Sequence, residues 1–267
     1  YIYFVTNIAI PEEKIMSCKR PLLALSLALS AFWGASAHAG DLVVSAAASL
    51  TNAFKEVAQG YEKANPGTKV VLNFGASDVL LQQIVKGAPA DVFASADQKA
   101  MDKAVEEKAV KPASRVDFAA NQIVLIVPTD SKANITALKD LTRDDVKRIA
   151  YGNPASVPVG RYTQGALEAA GLWSAVQAKS VLAQNVRQSL DYVSRGEVDA
   201  GFVFATDAAI MPDKVKVAVR VPSQTPVTYP IAVTTREAAA KEAASFVAYV
   251  LSPAGQEILS RYGFQKP

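Results

Sequence analysis

Cysteine and histidine are almost missing from this sequence: Cys18 and His38 are the single examples in 267 residues. From residue 40 onward there is neither. That stretch can form no disulfide, no Cys–His pair, no Ser-His-Asp triad and no zinc site built on soft ligands. Charge of one sign is also scarce. The 28 basic and 25 acidic residues leave a net of +3, dispersed along the chain, which is too mild for a nucleic-acid footprint. Long apolar runs are limited to one, at 21–33, too short to span a bilayer as an anchor. There is no internal repeat and no Gly/Ser linker. What the chain does have is apolar residues, 50% of the total, so a sizeable core can form and intrinsic disorder is excluded.

The first 39 residues read as an export signal. Met16 is the expected start, and Lys19-Arg20 precede the apolar run. Small residues then lead to Ala37-His38-Ala39, an Ala-x-Ala cleavage pattern. Cleavage is expected after Ala39, placing the mature chain in the periplasm. Cys18 precedes the apolar run, so it is not a lipid-anchor cysteine. Removing Lys14, Lys19, Arg20, Glu12 and Glu13 with this segment leaves a net charge of only +2.

The remainder alternates between two periods. Strands are expected at 42–46, 69–74 and 91–95, with helices at 50–63, 78–86 and 98–107 between and after them. A strongly β run at 122–127 opens a second series. It has helical turns at 138–140 and 143–148, a strand at 148–151, a helix at 160–170, a short strand or loop at 183–186 and a helix at 187–195. Strands follow at 201–204, 215–221 and 229–234, then an Ala-rich helix at 238–251, and 256–262 closes the chain. Such alternation predicts an α/β fold with largely parallel sheets. Without a flexible linker, two lobes would have to be joined by ordered strands, and the candidates are the approach to 122–127 and the return through 225–233.

Four helix starts stand out: Ser49 before the helix at 50, Ser77 before that at 78, Val159-Gly160 before 161, and Asn185-Val186 before 187. A helix start exposes unpaired backbone N–H groups and the positive end of the helix dipole, and so holds anions without any lysine or arginine. In open parallel sheets such loops lie at the carboxyl ends of the strands, where ligands bind. The plainer reading is that serine is a common N-cap and every helix must begin somewhere. The aromatics Tyr61, Phe93, Trp173, Tyr249 and Phe264 are expected to fill core.

Longer motifs carry a resemblance. The runs Ala46-Ala47-Ala48-Ser49-Leu50-Thr51-Asn52-Ala53 and 87–97 (Gly-Ala-Pro-Ala-Asp-Val-Phe-Ala-Ser-Ala-Asp) resemble the periplasmic molybdate-binding proteins of ABC importers. So do Gly152-Asn153-Pro154 with Val157-Pro158-Val159-Gly160, then Asn185-Val186-Arg187, the segment 196–207 and Arg261-Tyr262-Gly263-Phe264. The resemblance spans essentially all of 41–264. It implies a two-lobed periplasmic-binding-protein fold of the second type. Each lobe is then a mainly parallel sheet flanked by helices, and two crossover strands join them. Residues 40–120 with 229–267 would form one lobe and 121–228 the other, after upstream and signal residues at 1–39.

By the same resemblance the protein captures molybdate, and tungstate with it, and delivers it to membrane permease subunits as a monomer. It would do so without enzymatic activity, a cofactor, a bare metal cation or a nucleic acid. The anion would be held by the backbone N–H and hydroxyl of Ser49 and Ser77 and the backbone N–H groups of Val159 and Val186. Phe204 departs from the family, which commonly has a tyrosine donor there; a water or another hydroxyl such as that of Thr206 would replace it. Asp78 also departs, and either favours the helix dipole or faces the anion. A binding protein of the same fold for sulfate or another small oxyanion is the nearest alternative. A secreted hydrolase using Ser49 or Ser77 lacks the Gly-x-Ser-x-Gly turn. The sensing lobe of a transcription regulator lacks a DNA-binding helix pair ahead of residue 41.

Overall fold

A computed structural model of the protein describes residues 41–267; the expected signal segment, its cleavage point after Ala39, Cys18 and His38 lie outside the described residues. The chain begins with β1 (Leu42–Ala47), whose six residues are nearly all buried. A 3-10 turn (Ala48–Leu50) feeds α1 (Thr51–Ala64), which turns Ala53, Phe54, Val57, Ala58 and Tyr61 inward at helical spacing. Next come β2 (Val70–Gly75), α2 (Ser77–Val85), β3 (Val92–Ala94), α3 (Gln98–Glu106) and β4 (Val116–Asn121). The second series is β5 (Ile123–Pro128), β6 (Ile149–Gly152), α4 (Pro158–Ala169), α5 (Trp173–Gln177), β7 (Ser180–Ala183), α6 (Val186–Ser194), β8 (Ala200–Phe204), α7 (Ala205–Ala208) and β9 (Val215–Val221). The chain then closes with β10 (Val227–Val233), α8 (Ala240–Leu251) and α9 (Pro253–Arg261).

These strands form two five-stranded sheets, in the orders β2-β1-β3-β10-β4 and β7-β6-β8-β5-β9. In the first, β10 runs antiparallel to both of its neighbours, so the other four strands share one direction. In the second, β5 is the reversed strand. The two sheets therefore repeat one topology, largely parallel with helices against their faces, as the alternation predicts.

The chain passes between the sheets twice. Going out, Gln122 alone separates β4 from β5; coming back, residues 222–226 separate β9 from β10. Each crossing delivers the chain into a reversed strand. The expected aromatics do pack inward: Tyr61, Phe93 and Phe264 are buried, while Trp173 and Tyr249 lie partly buried against the core.

Local differences from the sequence expectation have local causes. β4 (Val-Asp-Phe-Ala-Ala-Asn) carries no unbroken apolar run, because Asp117 sits at an exposed position and Asn121 points to a polar partner. The short strand expected at 183–186 lies earlier, at Ser180–Ala183, where it pairs with β6. Three of the four helices begin sooner than the sequence suggests, and the first is entered through the 3-10 turn at Ala48–Leu50, which changes the role of the residues at their starts.

Candidate functional site

The loops at the carboxyl ends of β1, β2 and β3 in one sheet face those following β6 and β7, and the end of β8, in the other. Between them lies a small cavity, with about 10 Å³ of room for the centre of a water molecule. Ser49, Ser77, Val159, Val186 and Phe204 all line it, so the structure brings together the residues that sequence reasoning singled out. The rest of the wall is small or apolar: Ala47, Ala48, Gly75, Ala76, Ala96, Val157 and Pro158, with Asn185. No lysine, arginine, aspartate or glutamate is in it.

The two serines are not N-caps. Ser49 lies inside the 3-10 turn that leads into α1, and Ser77 is the first residue of α2, preceded by Ala76; neither turn has a side-chain cap. Their hydroxyls are engaged otherwise. The Ala96 N–H donates to Ser77 Oγ at 3.1 Å, so that oxygen already accepts a bond and its proton remains to be placed. Ser49 Oγ lies 3.0 Å from the Tyr229 hydroxyl. Both serines are almost completely buried, where a hydroxyl without a partner is costly.

The valines are first-turn residues as well. α4 starts at Pro158, which has no N–H, so Val159 supplies the first donor of that helix. α6 starts at Val186. Its cap, Asn185, accepts from the N–H groups of Arg187 and Gln188, which leaves the Val186 N–H as the one not taken by the cap. Four helix starts thus point their positive ends at one neutral cavity.

Charge is present just behind this wall, on two arginines that reach across between the sheets. Arg161, two residues beyond Val159, donates from Nε to Asp97 at 2.8 Å and from Nη2 to Asp78 at 2.7 Å. Asp78 therefore neither merely favours its helix dipole nor faces the anion site; it forms an ion pair with the opposite lobe. Arg187, next to Val186, donates to Asn52 Oδ1 at 2.8 Å and to the Ser49 carbonyl at 3.3 Å, and pairs with Asp207 at 2.5 Å. Burial pushes the Asp97 carboxyl up against the pull of Arg161. Burial likewise raises Asp207 to about 6 despite Arg187, and its Oδ2 has no partner. Both arginines are spent on carboxylates and backbone, not on the cavity.

Phe204 lines the cavity as expected and offers no hydrogen-bond donor. Thr206 is not its substitute. Thr206 Oγ1 is buried and accepts from Asn121 Nδ2 at 2.9 Å, and the residue is not part of the wall. Sequence reasoning did not single out Tyr229, Asn121 or Arg161, and it quoted Arg187 only as part of the Asn185-Val186-Arg187 motif, because their partners are distant in the chain. Among the described residues no group of three or more His, Cys, Asp or Glu could hold a metal ion, and no helix is long and apolar enough to cross a membrane.

A profile of the family described as bacterial extracellular solute-binding protein matches residues 42–265. The molybdate-binding protein ModA of Escherichia coli (strain K12) is 39% identical over 252 residues, 90% of this chain and 94% of that one. Among solved structures, the substrate-binding domain of a molybdenum ABC transporter from Clostridium difficile, itself described as putative, is 38% identical with a TM-score of 0.65. The match covers 85% of this chain and 99% of that one. The periplasmic molybdate-binding protein of Azotobacter vinelandii gives 26% identity and a TM-score of 0.73, covering 85% and 99%.

Proposed function

The chain belongs to the bacterial extracellular solute-binding proteins, and we propose that its solute is molybdate, with tungstate as an equivalent ligand, captured in the periplasm for an ABC importer. The observation that carries this reading is a small cavity at which four helix starts meet, with Ser49, Ser77, Val159 and Val186 in an otherwise small and apolar wall and no charged side chain in it. Such a site suits a fully deprotonated tetrahedral oxyanion. Molybdate, tungstate and sulfate present only acceptors near neutral pH. Hydrogen phosphate carries a proton that would meet donors and lose its own partner, which is costly in a closed site.

The magnitudes are adequate. The hydroxyls and N–H groups of Ser49 and Ser77, with the N–H groups of Val159 and Val186, make six donors. At about 1.5–3 kcal/mol per charge-assisted bond, they supply roughly 9–18 kcal/mol before the cost of association. Micromolar binding needs about 8 kcal/mol and nanomolar about 12. This reading calls for capture and release alone, with no cofactor and no catalytic step. A ligand that touches both lobes favours their closed arrangement, which is the form a permease would receive from a monomer.

The test is thermal unfolding with molybdate, tungstate, sulfate and phosphate, since a ligand of the folded state alone raises its stability. Molybdate and tungstate are expected to raise Tm at micromolar concentration, and sulfate and phosphate to leave it unchanged. Displacement of molybdate by an equal concentration of sulfate would overturn the assignment in favour of a sulfate-binding protein.

A further inference from the structure

We infer that Tyr229 is a positioning residue that fixes the Ser49 hydroxyl as a hydrogen-bond donor to the bound oxyanion. This rests on the reading of the cavity as an oxyanion site. Tyr229 lies on β10 and is completely buried. Its ring is held edge-on by Phe118, Phe204 and Phe264, with centroids 6.3, 5.7 and 5.5 Å away. The hydroxyl cannot swing elsewhere.

Proton accounting then sets its direction. Asn121 Oδ1 accepts from the Gln122 N–H at 2.9 Å, which turns Nδ2 the other way. Nδ2 has two hydrogens and two acceptors, Thr206 Oγ1 at 2.9 Å and the Tyr229 hydroxyl at 3.2 Å. Tyr229 thus accepts from Asn121, and its own proton goes to Ser49 Oγ at 3.0 Å. Burial raises the phenol well above its usual range, so that proton stays in place. Ser49 Oγ now accepts a bond from the protein, and its own proton is directed into the cavity that Ser49 lines.

Ser77 is treated identically by a different group: the Ala96 N–H occupies its oxygen at 3.1 Å. Two unrelated donors, one phenolic and one from the backbone, each take up a lone pair of a serine oxygen and bias both hydroxyls towards donating into the cavity. A serine without such a neighbour can rotate and accept as readily as it donates. It would then tolerate an anion that carries a proton. Tyr229 thereby contributes to selectivity while standing behind the wall. Phe204 lines the cavity without a donor, and Tyr229 packs against its ring from behind.

The experiment is a double-mutant cycle read by calorimetric titration with sodium molybdate, using wild type, Tyr229→Phe, Ser49→Ala and the double variant. Tyr229→Phe keeps the ring and its packing. It is expected to weaken molybdate binding about three- to tenfold, as for one lost hydrogen bond, and to narrow the preference for molybdate over hydrogen phosphate. In the Ser49→Ala background the same change is expected to have no effect, because its target is gone. Wild-type affinity that Tyr229→Phe leaves unaltered overturns the relay alone. An equal loss in both backgrounds overturns it too, showing a packing role. A wild-type chain that does not bind molybdate overturns both the relay and the reading of function beneath it.

Discussion

Gly160 offers a sharp test of whether the start of α4 is part of the anion site. A Cβ added there would lie 1.9 Å from the Gly152 carbonyl oxygen and 2.6 Å from its carbon, well inside the 3.0 Å below which such contacts essentially never occur. Both are backbone atoms, so no rotamer change relieves the clash. In Gly160→Ala the first turn of α4 must move about 1 Å away from the loop after β6, as expected for overpacking of a close-packed interior, at about 1–3 kcal/mol of stability. The Val159 N–H, one residue earlier, moves with it. A donor displaced by that much falls outside the 2.7–3.2 Å range of N–H···O bonds. Losing a charge-assisted bond of about 1.5–3 kcal/mol weakens molybdate binding about ten- to hundredfold. Gly165→Ala is the control on the same helix: nothing lies within 4 Å of its Cβ. That change is expected to stabilise the helix by about 0.5–1 kcal/mol and leave affinity alone. Calorimetric titration and urea unfolding of both variants decide it. Gly160→Ala with reduced stability but wild-type affinity would refute the placement of the Val159 N–H in the site.

Arg161→Ala leaves Asp78 and Asp97 without their cation. Removing one partner of a buried pair costs about 3–5 kcal/mol, and the lower end applies here because Arg161 is 14% exposed; weaker molybdate binding and a more extended small-angle scattering profile are expected, and neither change would appear if the pair were incidental. For Asp207 the folded carboxyl titrates near 6 against 3.8 for the free group. Its contribution to stability is therefore present below about pH 4, lost as pH rises to about 6 and constant above. The difference in unfolding free energy between wild type and Asp207→Asn should fall by up to about 1.4 kcal/mol per pH unit in that window, whereas a flat difference would mean that Arg187 outweighs burial. Phe204→Tyr restores a donor to the wall and is expected to tighten molybdate binding about two- to tenfold; a large loss would show that the ring already fills the space its hydroxyl needs.

Much of this architecture was legible because it depends on local periodicity. The alternation of strands and helices, the uniformly buried run of β5 and the loops carrying Ser49, Ser77, Val159 and Val186 follow from residues within a few positions of one another. What sequence could not supply is pairing across the cleft. Asp78 had two sensible readings from its own helix, and its actual partner, Arg161, is 83 residues away. Asn121 and Tyr229 are separated by 108 residues. They sit on neighbouring strands only because the chain leaves the first sheet after Asn121 and re-enters it at Val227. The cap reading of the serines fails locally, since Ser49 lies inside a 3-10 turn and Ser77 is the first residue of α2, but the groups beside their oxygens come from β10 and from the loop after β3.

The two sets of interactions should govern different properties of binding. Four helix starts, each equivalent to roughly half a positive charge, converge on one small cavity and repel one another when it is empty. Arg161 and Arg187 draw the lobes together against that repulsion by engaging Asp78, Asp97, Asn52 and the Ser49 carbonyl. A dianion reverses the balance, turning mutual repulsion into a shared attraction. The cross-lobe pairs do not touch the ligand, so they set how often the closed arrangement is available, and that fraction multiplies the affinity of every anion alike. The donors in the wall act on the ligand's own atoms and so can distinguish one anion from another. Weakening Arg161 should lower affinity for molybdate and tungstate by the same factor and leave their ratio intact, whereas a change at Ser49, Ser77 or Tyr229 should alter the ratio of molybdate to hydrogen phosphate. If the arginine variant changed that ratio, the cross-lobe pairs would be shaping the cavity itself and the separation of roles would fail.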